Sequence, residues 1–159
     1  MEEISAMSTE SKQQTKNKGA IKGGQGQYTY DMYQLKDVEA DINYSTGIGG
    51  VVEGERIQVG LIRKPRGTGS QIHMHPNEQW NFVLKGRLKV HVNGVDTIAG
   101  PGTVIYMPAN TPHATIALGD EDVEFFVCKD LTHHIAGTVI DPTKQRPAYM
   151  PGFDPDETK

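Results

Sequence analysis

The chain has 159 residues, a formal net charge of −4 with a pI near 5.8, six histidines and a single cysteine. That length encloses one core and not two; the acidic balance, with no block of basic residues, excludes a nucleic-acid face, and no apolar run approaches the ~20 residues that span a bilayer. Cys128 alone permits no intrachain disulfide, and the start Met1-Glu2-Glu3-Ile4-Ser5 has neither the basic nor the apolar part of a signal peptide, so a reducing, cytoplasmic compartment is expected.

Eighteen glycines and nine prolines beside 36% hydrophobic residues favour short strands and turns over long helices, an all-β composition. Residues 1–27 are rich in Ser, Gln, Lys and Gly and read as a disordered arm, or as one that orders only against a partner subunit. Residues 28–141 carry the strand pattern of a barrel. Tyr28 to Leu35 alternates as a first strand, a loop with Gly47, Gly49 and Gly50 follows, and Arg56 to Lys64 resumes strand character with Ile57, Val59 and Leu61 on one face. Arg87 to Val92 alternates again before Asn93-Gly94, a two-residue hairpin signal. His91 falls on the polar side of that strand and reads as solvent-facing. Val95 to Ala99, Thr103 to Met107, Pro112 to Ala117 and Val123 to Cys128 complete a run of short strands. His133 and His134 read as surface or interface residues, and residues 142–159, with Pro142, Pro147, Pro151 and Pro155, form a tail that wraps the surface or stays loose.

The chemistry concentrates between Gly67 and His113. His73 and His75 are two residues apart in a segment rich in β-formers, so both imidazoles share one strand face and suggest a metal site. The same alternation places Asn77, Gln79, Asn81 and Val83 on that face and Glu78, Trp80, Phe82 and Leu84 on the other. Gln79 is therefore the preferred third ligand; Glu78 is the alternative, because carboxylates ligate more often and Pro76 could introduce a bulge that reverses the parity. His113, delivered by the tight loop Pro108 to Pro112, completes a set suited to a divalent ion. Asn81 is a candidate for orienting substrate, or equally a polar group bonded within the barrel, and Tyr106 is a candidate acid or base if it faces inward.

This stretch resembles the cupin superfamily. Gly67, His73, His75 and Gly86 fall in step with the first cupin motif, with Gln79 at the position usually held by glutamate; Gly102, Pro108 and His113 fit the second motif, in which Asn110 replaces a glycine. The resemblance implies a single-domain jelly-roll barrel and a site for Fe, Zn, Mn or Ni. It implies no single reaction, since cupins include oxygenases, isomerases, epimerases, lyases, storage proteins and sugar-sensing domains. A neutral glutamine leaves a bound ion near +2 and a stronger Lewis acid than the usual glutamate would, and cupins with a glutamine ligand include non-redox enzymes acting on unsaturated sugar acids and polyketides.

Three functions follow as expectations. The first is a metalloenzyme acting as Lewis acid in isomerisation, cyclisation or elimination on a small polar organic substrate. The second is an Fe(II)-dependent dioxygenase cleaving an organic acid or diketone, and the third a non-catalytic small-ligand or sugar-binding cupin. If the histidine face looks inward, Trp80, Phe82 and Leu84 make an outer apolar patch that predicts a homodimer.

Overall fold

The computed structural model describes residues 14–39 and 43–157. In chain order the strands are β1 (Ile21–Lys22), β2 (Val38–Glu39), β3 (Ile48–Glu53), β4 (Ile57–Lys64), β5 (Thr68–Gly69), β6 (His73–Met74), β7 (Gln79–Lys85), β8 (Leu88–Val92), β9 (Val95–Ala99), β10 (Val104–Met107), β11 (His113–Ala117), β12 (Val123–Asp130), β13 (Thr138–Val139) and β14 (Ala148–Tyr149), with one 3-10 turn at Met32–Gln34. One sheet runs β1-β3-β4-β12-β7-β10 with β2 beside β3; the other runs β13-β6-β11-β5-β14 with β8 and β9 attached through β11. This is an all-β barrel. Among the described residues no helix is long and apolar enough to cross a membrane.

The barrel follows from strict alternation. Along β12 burial reads inward at Val123, Phe125, Val127 and Lys129, and along β7 at Gln79, Asn81 and Val83. Registers align these residues across the sheet: Gln79 pairs with Lys129, Asn81 with Val127, and Val83 with Phe125. Val83, Leu88 and Ala117 are fully buried in an apolar core that also takes in Ile62, Ile105 and Met107. The inner wall thus turns from apolar to polar along each strand. On β4 the inward residues are Gln58, Gly60, Ile62 and Lys64, while Ile57, Val59 and Leu61 face outward.

Turn chemistry is as the residues dictate. Asn93 and Gly94 both take positive φ, 49° and 79°, in the β8–β9 hairpin. Asn110, in place of the motif glycine, takes φ 54°, a conformation that Asn tolerates better than other non-glycine residues.

Two stretches differ from the sequence reading. Tyr28 to Leu35 is not a strand; Asp31 caps the 3-10 turn through Tyr33 N, and Leu35 packs on Gly50 of β3. Residues 1–13 of the expected arm lie outside the described residues. From Thr15 to Gln27 the chain lies along the barrel, with β1 parallel to β3 and Asn17 buried where it bonds Glu53 and Gln58. A short polar segment ordered by buried polar partners gives no apolar signal. The tail contributes β14, paired with β5, and Phe153 covers Gly67, where an added Cβ would lie 2.1 Å from the ring.

Candidate metal centre

Two of the three histidines lie on neighbouring strands of one sheet and the third just beyond it. His73 on β6 pairs with His113 on β11, and His75 follows two residues after His73. Ring centroids lie 4.4 Å apart for His73 and His113, 4.7 Å for His75 and His113, and 6.1 Å for His73 and His75. Each Nδ1 bonds a backbone carbonyl two residues away: Gln71 at 2.7 Å, Asn77 at 2.9 Å and Thr111 at 2.8 Å. A carbonyl only accepts, so each Nδ1 carries the proton and each Nε2 is left as a bare lone pair.

The Nε2 atoms of His75 and His113 are buried and without a hydrogen-bond partner. An unsatisfied buried polar atom costs about 1–3 kcal/mol, and a metal ion relieves that cost directly. One ligand atom from each of the three rings lies within 4.8 Å of the others, so the residues present fit a single divalent ion. Burial keeps the rings neutral: it pushes His75 down to about 3 and His113 to about 4, with His73 also held well below its ordinary value by burial and by His113. Neutral imidazole is the ligating form.

Across the cavity stands the other sheet. Gln79 is buried on β7 and donates its amide nitrogen to Asn81 Oδ1 at 2.7 Å, so its amide oxygen, on the side toward His75, is the atom it could offer a metal. Both line the same cavity as His73 and His113. The chain changes sheets between His75 and Gln79, yet alternation survives the corner: residues 75, 77, 79 and 81 are buried while 76, 78, 80 and 82 are exposed. Pro76 therefore does not reverse the parity. Glu78 is exposed and engages the Tyr106 hydroxyl on the outer face. Tyr106 is 42% exposed, stacks on Trp80 at 4.5 Å and is not in the site; its neighbours Ile105 and Met107 take the inward positions. His91 pairs with Asp96 across the surface hairpin, and His133 and His134 stack on each other at 3.9 Å outside the histidine cluster.

Four contributors to the site escaped the sequence reading. Asn77 is fully buried; its carbonyl orients His75 and its amide binds the carbonyls of Asp130, His133 and His134, tying the 130–134 loop to the ligand strand. Its place on the histidine face was the available signal. Tyr44, whose ring packs 4.6 Å from His73, has no motif around it. Lys64 and Lys129 point into the cavity. The β12 alternation Val123, Phe125, Val127 had only to be continued by one step to place Lys129 inside.

Residues 60–129 match the model of the cupin domain family. No curated protein matches the chain in sequence. Among solved structures, the cupin domain of Cnp3 from Schizosaccharomyces pombe superposes with a TM-score of 0.55 at 15% identity, covering 64% of this chain and 72% of that one. TT1209 from Thermus thermophilus gives 0.47 at 22% identity over 49% and 75% of the two chains, and KdgF from a Halomonas species gives 0.45 at 22% over 47% and 69%. With the motif residues in place around three convergent imidazoles, residues 60–129 form a cupin domain.

Proposed function

We propose that the chain is a metalloenzyme in which His73, His75, His113 and Gln79 hold a divalent ion that acts on a small polar organic substrate in isomerisation, cyclisation or elimination. The observation that carries this reading is the pair of buried, unpartnered Nε2 atoms facing a neutral amide instead of a carboxylate. When bound, the ion supplies Lewis acidity toward a carbonyl or hydroxyl oxygen. The protein's part is orientation and exclusion of water. Three backbone carbonyls fix the rings, Asn81 fixes the Gln79 amide, and Met107, Phe125 and Ile135 make the apolar wall of the cavity. Since Asn81 Oδ1 is engaged by Gln79, its role here is to position that ligand.

The test is elemental analysis of protein purified without chelator, beside His113→Ala and Gln79→Ala variants. Zinc, manganese or nickel near one equivalent, lost in the histidine variant and weakened in the glutamine variant, supports the reading. Near-stoichiometric iron with oxygen uptake would replace it with the dioxygenase, and no metal after reconstitution would leave a binding module.

We also infer a homodimer. Trp80, Phe82, Leu84, Val104 and Tyr106 are each more than 40% exposed on the outer face of β7 and β10, and β10 ends its sheet. A second copy of the same face is the occupant that this contiguous apolar strip and open edge favour.

A further inference from the structure

Among the described residues, the cavity beside the three histidines holds two lysines and no acid. It has about 490 Å³ of free space including its open mouth, and among the described residues neither Asp nor Glu lines it. Lys64 and Lys129 are each 4% exposed. Lys64 Nζ donates to the Thr115 carbonyl and hydroxyl, both at 2.9 Å, and stands 3.5 Å from Ser70 Oγ; Lys129 Nζ donates to the Ile135 carbonyl. Every partner is neutral. Among the described residues no carboxylate pairs with either ammonium. Asp130, next to Lys129 in the chain, spends its oxygens on Glu78 N and on Thr132.

A buried ammonium without a carboxylate costs several kcal/mol, so these lysines do not serve the fold. Nor does the fold need Lys64 as a donor, because the Thr115 carbonyl already accepts Ser70 N at 3.0 Å. The β4–β12 register places Lys64 opposite Val123 and Lys129 opposite Gln58, so the two side chains start six residues apart along one antiparallel pair, about 20 Å. They reach the cavity from its two ends, and both act electrostatically on His73 and His113. A neutral substrate would leave both charges unmatched, and a compact oxyanion would concentrate its charge at one end.

We infer that the substrate is a small organic diacid, its two carboxylates met by Lys64 and Lys129 and its middle carried to the histidine cluster. This rests on the metal reading only for how the middle of the molecule is engaged. The neutral Gln79 fits the same logic, since a glutamate there would repel an anion that the site is otherwise built to admit.

The test is calorimetric titration of zinc-loaded and metal-free protein with malonate, succinate and glutarate, each beside its monoamide and diamide, which keep chain length while removing charge. At one chain length or more, the diacid binds at least tenfold tighter than the diamide, with the monoamide between. Lys64→Met and Lys129→Met each weaken diacid binding at least tenfold and leave diamide affinity and zinc stoichiometry unchanged. Unliganded Lys64→Met melts no lower than the parent, a result that a structural lysine would not give; Lys64→Gln and Lys129→Gln serve if a Met variant misfolds. Absence of binding by all three diacids, equal affinity for diacid and diamide, or variants that bind like the parent overturns the inference. Charge preference retained in protein that takes up no zinc would instead overturn the metal reading and leave this one standing.

Discussion

Stripped of metal, the protein should lose stability as the pH falls from neutral toward 4. The sign follows from the buried imidazoles. His113 titrates near 4 in the fold and near 6.5 in the unfolded chain. Above pH 6.5 it is neutral in both states and contributes no pH dependence; between 6.5 and 4 the unfolded chain binds a proton that the native chain refuses. By linkage that single ring costs roughly 2 kcal/mol at pH 5 and roughly 3 kcal/mol below pH 4. His75 and His73 act in the same direction. Lys64 and Lys129, held by burial near 7, add a rise in stability at alkaline pH, through the window from 7 to the ordinary lysine value of 10.5. Urea melts of chelator-treated protein at pH 7.5, 6, 5 and 4.5, with His113→Gln in parallel, measure the effect. The variant should flatten part of the acid slope, and saturating zinc should restore stability at pH 6. Equal stability at pH 7.5 and 5 in metal-free protein would refute the picture of three rings desolvated in their neutral form.

Other outcomes follow from the same geometry. Gln79→Glu should tighten metal binding at least tenfold in a chelator-competition assay, because a carboxylate near a divalent ion gains more than its desolvation costs; unchanged affinity would remove Gln79 from the ligand set. Asn77→Ala should lower stability by about 2–4 kcal/mol in denaturant melts, since it leaves the carbonyls of Asp130, His133 and His134 without their shared donor. Trp80→Glu should convert a dimer to a monomer in light scattering coupled to size exclusion while leaving metal content intact, and a parent that elutes as a monomer would defeat the dimer at once.

The histidine face was legible because a period of two is indifferent to which sheet the strand belongs to. Alternation carried from His73 to Asn81 through a corner that the sequence did not reveal, and it set Gln79 on the inner face, where it is buried, and Glu78 on the outer one, where it is exposed. The same rule puts Tyr106 outside, once Ile105 and Met107 are recognised as core. What remained hidden is polar and inward: Lys64 and Lys129 occupy positions that composition assigns to solvent, because a binding cavity reverses the usual sorting of polar from apolar. The segment from Thr15 to Gln27 was hidden for a related reason. Asn17 is anchored by a carboxamide and a carboxylate, Gln58 and Glu53, and not by apolar burial, so hydropathy sees an arm where hydrogen bonding makes a strap.

Each ligand imidazole is oriented by a carbonyl of its own strand or loop, two residues away. A main-chain oxygen cannot be substituted, so no side-chain change at Gln71, Asn77 or Thr111 deletes the three acceptors that hold these rings. The fourth position is open to exchange where these acceptors are not: there an amide is held by an amide, and a single atom exchanged for oxygen would change the charge of the whole centre.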